Sequence, residues 1–572
     1  MQRIDSGRRP DGGDEPGDSG LATEPDADDA STPASAGSAR RFGGRLPVLL
    51  WAGGLLLVGV GLFSLYVRQS MIAPFNSDGA SNILQAQAML HGNPLLKGWW
   101  TSDVSFYTTE LPEYMLVVLV RGVRPDVVHI AGALSYTLTV LLGALLARGR
   151  ARGRAGVARA LLAGGIMLAP GILGGTEVFL ENPDHAGTAV PILAVLLLLD
   201  RAPERWWVPV AVCLLLAGIT VADQLTLVAA TVPLAAVAAV RMLMLAARRR
   251  PRREYRYDAL LLVAAVASIG VAKLAEAMIR HLGGYYLRPV PYRLFAPVSQ
   301  IPANARMMGQ TLLLLFGAND PGPAHQQIAL IATYHLIGLA LAVLGLAVAV
   351  AVFFTGRADR VTQIVVAATA ATLAAGVLGT ILPSLAHAHE VAILLPFGAV
   401  LAGRMLPPLV PARWRPGRWA APALAAWLAA GLAALCVAAT WLPLGPPNQD
   451  LATWLVDHHY TEGLAGYWQA NATTVTSGGK VLVAPIKLGS TAVWRWEASS
   501  DWYDPSQRQA NFIVAVTDPA GQGGISASSA RKSFGRPAHQ YHVGKYVIMV
   551  YNYNLLTRVT DRKFPGVDPP NR

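Results

Sequence analysis

Cysteine is nearly absent: Cys213 and Cys436 are the only two in 572 residues, and both lie inside apolar runs. No disulfide framework can therefore support any part of the chain, and both thiols read as small core side chains. Charge is scarce as well, at 14% of residues against 53% hydrophobic, with a mean hydropathy of +0.39. That balance excludes a soluble multidomain protein and fits a polytopic membrane protein. Acidic residues are outnumbered, 35 against 47 Lys and Arg, for a net charge of +12. The excess Arg gathers in short clusters between apolar runs, as in cytoplasmic membrane loops, so no nucleic-acid partner is expected. Internal repeats are missing too, and with them the inverted-repeat signature of many secondary transporters.

Residues 1–45 are rich in Asp, Glu, Gly, Ser, Pro and Ala and bury too little to fold alone, which predicts a disordered acidic tail. No signal-peptide cleavage pattern is evident, and Arg40, Arg41 and Arg45 before the first apolar run predict that the tail is cytoplasmic. Apolar runs near the ~20 residues a bilayer requires follow at 46–66, 127–147, 157–176, 186–200, 205–222, 224–246, 257–279, 327–353, 360–381, 390–406 and 420–442. The chain thus reads as an α-helical polytopic membrane protein of about eleven transmembrane helices over 46–444. The Arg clusters at 148–159, 201–205, 248–256, 357–360 and 413–418 then all fall on one side. That agreement requires 111–120 to be a surface or re-entrant helix. Loops 67–126 and 280–326 then share the outer face. Beyond residue 445 the apolar runs shorten to strand length, at 481–485, 491–496, 511–516 and 546–551, with helical stretches at 449–468 and 524–532. Residues 445–572 are expected to form a small extracytoplasmic α/β domain.

The first outer loop opens Phe75-Asn76-Ser77-Asp78-Gly79, followed by Ile83, Ala86, Met89 and Leu90 at helical spacing, an amphipathic helix suited to an interface. Asp78 is the candidate base; equally, Ser77 or Asp78 can be the N-cap of that helix. A second acidic turn holds Glu181, Asp184 and His185, ionisable groups of a kind usually functional at membrane depth. Asp223, a lone acid between two runs, reads as a turn residue. His387, His389 and Glu390 lie close together, but i, i+2 histidines on a helix point to different sides, which disfavours a metal site there. Tyr285, Tyr286, Arg288, Tyr292, Arg293 and Arg306 mix aromatic and cationic groups that suit a lipid phosphate and a sugar ring. An interfacial aromatic belt with snorkelling Arg explains each one singly just as well. Tyr467-Trp468 and Trp494-Arg495-Trp496 read as packing residues first and as carbohydrate contacts second.

The order Asn76-Ser77-Asp78, a helix ending His91-Gly92-Asn93, Gly98-Trp99, and Ser105-Phe-Tyr-Thr-Thr-Glu110-Leu-Pro112 resembles the first outer loop of GT-C polyprenyl-phosphate-sugar glycosyltransferases, such as the protein O-mannosyltransferases and lipid A aminoarabinose transferases. The resemblance implies an inverting transferase in a bacterial cytoplasmic membrane. Its partners would be a polyprenyl-phosphate sugar donor, membrane lipids, and a glycan, lipid or protein acceptor. Asp78 would be catalytic, with Asn76, Lys97, Glu110, Glu181, His185, Arg288, Arg293 and His389 around the substrates. A divalent cation, Mg or Mn, would sit at Asp78 and Asp184. Many relatives carry Arg-Tyr before Leu-Leu-Pro where this chain has Glu390-Val391-Ala392 before Ile393-Leu394-Leu395-Pro396, so His389 is the candidate for the phosphate contact. The competing classes are a polytopic transporter or lipid flippase and a non-catalytic envelope assembly protein.

Overall fold

The computed structural model describes residues 46–172, 174–181, 184–202, 204–289, 295–319, 329–382, 384–409 and 417–563. The acidic tail, Tyr292 and Arg293 lie outside the described residues. The chain divides into two compact units, residues 1–57 and 58–572. The first contributes only the opening turns of the helix Leu46–Ser70; the second holds every other element.

Helices occupy all eleven positions at which a span is expected, but they are not equivalent. Seven are long and apolar enough to cross a membrane: Ala52–Ser70, Asp126–Arg148, Leu227–Ala247, Arg252–His281, Ile331–Phe354, Arg360–Leu378 and Trp419–Ala439. An eighth is a broken pair, Leu385–Val391 and Leu394–Leu409, bent by 51°. Gly153–Met167, Ala189–Arg201 and Val208–Ala222 have 15, 13 and 15 residues. At 1.5 Å per residue they reach roughly 20 Å, short of the ~30 Å hydrocarbon layer. Local sequence explains the shortening: Pro170-Gly171 stops the first, and the second and third end at Asp200-Arg201 and Asp223. The chain is a multi-pass membrane protein with seven full-length spans among the described residues.

The segment 111–120 does not cross. It forms the 12-residue helix Glu110–Arg121, burying Leu111, Tyr114, Val117 and Val118 while Leu116, Leu119 and Val120 stay exposed at i, i+3, i+4 spacing. An apolar outer stripe of that kind suits the membrane interface.

The first outer loop contributes one short strand, β1 Trp99–Trp100. The C-terminal region adds β2 Glu462–Ala465, β3 Leu482–Pro485, β4 Ala498–Ser499, β5 Phe512–Val516, β6 His539–Val543 and β7 Tyr546–Val550. Five of these form a sheet in the order β3-β2-β5-β7-β6. β3, β2 and β5 run parallel, and β7 and β6 are antiparallel. The period of two sorts β5 cleanly. Phe512, Val514 and Val516 pack with Leu451 and Leu455 on one face. Ile513 and Ala515 on the other face join a core shared with Phe75, Ile83, Trp99, Leu111 and Tyr114 of the first loop.

A two-stranded ladder fastens the same contact: β1 pairs antiparallel with β4. Trp100 also bridges to Tyr286. The expected strand at 491–496 is instead an irregular stretch with isolated bridges at Ala492 and Val493. It ends at Glu497, whose φ of 48° is left-handed.

Candidate active site

The helix Ser77–Leu90 begins with a cap that differs from expectation. Asn76, not Ser77 or Asp78, is the N-cap, its side chain accepting from the Asp78 and Gly79 amides at 3.0 Å each. The Ser77 hydroxyl instead donates to the Tyr467 carbonyl at 2.6 Å. Asp78, relieved of capping, sits in the first turn, where the helix dipole favours its charged form, and faces a cavity of about 1060 Å³.

Tyr467, at the start of the helix Tyr467–Thr476, places its hydroxyl on both the Asp78 and the Glu497 carboxyl groups. One phenolic hydrogen cannot serve two carboxylates at once, so one of the acids carries a proton. Burial raises both, against hydrogen bonds that stabilise the Asp78 anion. Glu497, 3% exposed and beside the Asp78 charge, is pushed well above the ordinary carboxylate range. The proton therefore rests on Glu497, and Asp78 is the ionised member.

The facing wall comes from the second acidic turn. Gly132 lets it approach: a Cβ there would lie 2.2 Å from the Leu180 carbonyl oxygen. Burial pushes Glu181 up to about 8, helped by the Glu177 and Asp78 charges. Asp184 accepts from the Asn82 amide at 3.2 Å. His185 Nδ1 is 2.9 Å from the carboxylate of Asp223, which is 1% exposed. Burial alone would lower this imidazole, but Asp223, with Glu390 and Asp184 behind it, holds it up at about 10. Asp223 is thus not a plain turn residue but the counter-ion of a buried cation. His389 stacks on His185 at 5.5 Å and 9°, and His387 on His389 at 6.1 Å. The short 3-10 helix Leu385–Val391 turns both histidines and Glu390 into the cavity, which an ideal α-helix would not do.

Arg288 completes the lining, its guanidinium 5.5 Å and 5.4 Å from the Trp494 and Trp496 rings. The cavity thus brings together Asn76, Asp78, Glu181, Asp184, His185, Arg288 and His389. Lys97 is exposed and does not line it. Glu110 does not line it either; it stands behind the wall, accepting from Thr188 at 3.1 Å and from Thr109. Glu497 is not singled out by the sequence, while Tyr467 and Asp223, which read there as a packing or carbohydrate-contact residue and a turn residue, bond directly to Asp78 and His185.

Among the described residues no group of three or more His, Cys, Asp or Glu side chains is arranged to hold a metal ion. Asp78 is engaged by Tyr467 and Asp184 by Asn82, so this donor set does not fit the expected divalent cation, and no step of the reaction is assigned to one.

Glu110 carries a test of its own. Burial pushes its carboxyl up to about 8, against the Thr109 hydrogen bond and with Asp223, Glu113 and Asp184 adding. A raised folded-state pKa means stability present below the ordinary carboxylate pKa and lost as pH climbs through 8. Glu110→Gln is expected to gain stability over wild type progressively between about pH 5 and pH 9, on the order of 4 kcal/mol at the upper end. Thermal unfolding in detergent across that range checks it; parallel curves for the two proteins would refute it.

Membrane-crossing helices, an acid at the start of the first loop helix, and a C-terminal sheet region packed onto that loop define the fold. Compared by sequence, the chain matches no family model and no curated protein. Compared by structure, it is similar to ArnT from Cupriavidus metallidurans bound to undecaprenyl phosphate, with a TM-score of 0.50, 12% identity, and coverage of 90% of this chain and 99% of that one. The apo state of the same protein gives 0.49, 12%, 90% and 100%. The Archaeoglobus fulgidus oligosaccharyltransferase tethered to an acceptor peptide gives 0.44 and 12%, covering 82% of this chain and 69% of that one.

Proposed function

We propose that the protein is a membrane glycosyltransferase. It moves a sugar from a polyprenyl-phosphate carrier to a hydroxyl-bearing acceptor on the outer face of a bacterial cytoplasmic membrane, with inversion at the anomeric carbon. The observation that carries this reading is one cavity whose lining holds the carboxyl group of Asp78, the guanidinium of Arg288 and the apolar side chains of Val178, Leu314, Ile381 and Leu385. A lipid-linked phosphate sugar carries the groups that match them: an isoprenoid chain, an anion and a sugar. The fold shared with ArnT, whose structure holds undecaprenyl phosphate, supports the choice of carrier. Counting each of the eleven helical positions as a crossing, the short ones included, puts the Arg clusters on one side and supports an orientation with 445–572 outside.

In the reaction, the acceptor oxygen forms a bond to the anomeric carbon as the bond from that carbon to the phosphate oxygen breaks. The electron pair of the broken bond leaves with the lipid phosphate, and the hydroxyl proton passes to Asp78. Arg288, fixed between two indole rings, and the protonated His185 offset the charge growing on the phosphate, and His389 borders the same anion. Glu497 keeps the proton that would otherwise neutralise Asp78. Transfer is therefore expected to fall as pH drops, and to do so above the ordinary carboxylate range because burial raises Asp78. A pH–rate profile reads this directly.

The test of the function itself is purified protein with radiolabelled polyprenyl-phosphate sugars and a cell-envelope acceptor extract. Label in the acceptor, with anomeric configuration opposite to the donor, is the expected result. Retained configuration would remove the inverting displacement, and label that never leaves the carrier with any donor would remove the transferase reading.

A further inference from the structure

Three tryptophans from the C-terminal region, Trp468, Trp494 and Trp496, line the cavity. Two of them hold the Arg288 guanidinium; Trp468 is held differently. Tyr467 meets its ring edge-on at 5.2 Å. Gly523, in a left-handed conformation with φ of 57°, lies against the indole so closely that a Cβ would come 2.6 Å from Trp468 Cδ1. The ring is thus propped on two sides and still 48% exposed.

A large aromatic held rigid with its surface left open in a cavity gains little from burial and much from a flat partner with an apolar face. Its neighbour in sequence, Tyr467, touches Asp78, so a molecule lying on Trp468 is next to the base. Around it the cavity wall is rich in carboxyl groups, among them Asp184, Glu181 and Glu497. Carboxyl groups, protonated or ionised, bond to hydroxyls, and the ionised Asp78 beside Trp468 disfavours an anionic group at this place. An apolar face with a rim of hydroxyls and no negative charge describes a neutral sugar ring.

Resting on the proposed transferase function, we infer that the acceptor is a neutral carbohydrate that stacks on Trp468 and presents its hydroxyl to Asp78. The acceptor thus rests against the C-terminal region's part of the cavity lining.

The experiment has two arms. In the first, neutral oligosaccharides of mannose, arabinose, glucose and galactose are titrated into detergent-solubilised full-length protein without any donor, and binding is followed by saturation-transfer NMR. At least one should bind wild type and Asp78→Asn alike, and bind Trp468→Leu about tenfold more weakly, the loss of one stacking face. Trp468→Tyr should recover most of the binding, and unchanged thermal unfolding of both variants separates ligand loss from misfolding. Absence of binding by every sugar, or equal binding by Trp468→Leu, overturns the inference.

In the second arm, Trp468→Leu should raise the acceptor KM and leave the donor KM unchanged; a rise in the donor KM alone overturns the assignment. Binding without transfer from any donor would keep the carbohydrate site and sink the transferase. Transfer to a peptide or lipid with no sugar bound would do the reverse.

Discussion

Asp78→Asn is expected to lower sugar transfer by about 10²- to 10⁴-fold, the range a positioned general base supplies, and to leave the fold intact. Asn76 caps the helix that carries Asp78, so the substitution removes no cap. Asparagine keeps the size of the side chain and still accepts from Tyr467. What it lacks is the negative charge that receives the acceptor proton. The loss should fall on kcat and on kcat/KM together, because the proton moves only in the transition state. Glu497→Gln is the matched control: the glutamate is already neutral, and the amide still offers a hydrogen-bond donor, so transfer should stay near wild type at neutral pH. A radiolabel assay of the three proteins checks both expectations. Equal rates for wild type and Asp78→Asn would remove the base, and collapse in Glu497→Gln would show that its charge is used.

The second large effect is on stability. Asp223→Ala is expected to destabilise the protein by roughly 3–5 kcal/mol, the usual consequence of leaving a buried ion without its partner. His185 is 11% exposed and Asp223 1%, so water cannot take over the lost interaction. Leu225 loses the acceptor of its amide as well, at 2.9 Å.

The sign with pH follows from the two shifts. His185 is raised to about 10, so its contribution is complete below the ordinary imidazole pKa and fades as pH climbs to about 10. Burial raises Asp223, but the His185 charge and the hydrogen bonds from His185, the Leu225 amide and Thr188 together lower it, so its contribution is present above the ordinary carboxylate pKa and fades in acid. The gap between wild type and Asp223→Ala should therefore be widest in weakly acidic solution and close toward alkaline pH. Thermal unfolding of both proteins against pH measures it, and a gap that widens toward pH 10 would contradict the ion pair. Asp223→Ala with His185→Leu should recover much of the loss, since the orphaned charge is then gone.

The place of Asp78 in the cavity lining follows from a local signal, an acid after a span and then an amphipathic repeat. The cap was misread for an equally local reason, since Asn76, Ser77 and Asp78 are all good caps and only backbone geometry chooses among them. Tyr467 and Glu497 reach Asp78 from the far end of the chain, through the pairing of Trp99–Trp100 with Ala498–Ser499, and no spacing in the sequence announces that register. Asp223 did leave a trace. A lone acid between two apolar runs is costly at membrane depth, and asking for its partner would have led to His185.

Apolar runs marked every expected span but not the helix Ile301–Leu315 inside the expected loop 280–326, and hydropathy does not distinguish 15 residues followed by Pro170-Gly171 from a full span, nor does it show the bend between Val391 and Leu394. The stretch 491–496 has strand-like composition, but two of its tryptophans serve Arg288 instead of a ladder. Strand β6, His-Gln-Tyr-His-Val, is a solvent-facing edge, and so lacks the apolar alternation by which a strand is recognised.

Transfer and transport part company in one measurement: purified protein in sealed vesicles loaded with a radiolabelled polyprenyl-phosphate sugar, with the acceptor supplied only on the side that the C-terminal region faces. Glycosyl transfer requires label to leave the lipid and appear covalently in the acceptor, and to stop doing so with Asp78→Asn. Label that changes leaflet while still attached to its carrier, equally in wild type and Asp78→Asn, would make the protein a flippase and contradict the role given to Asp78.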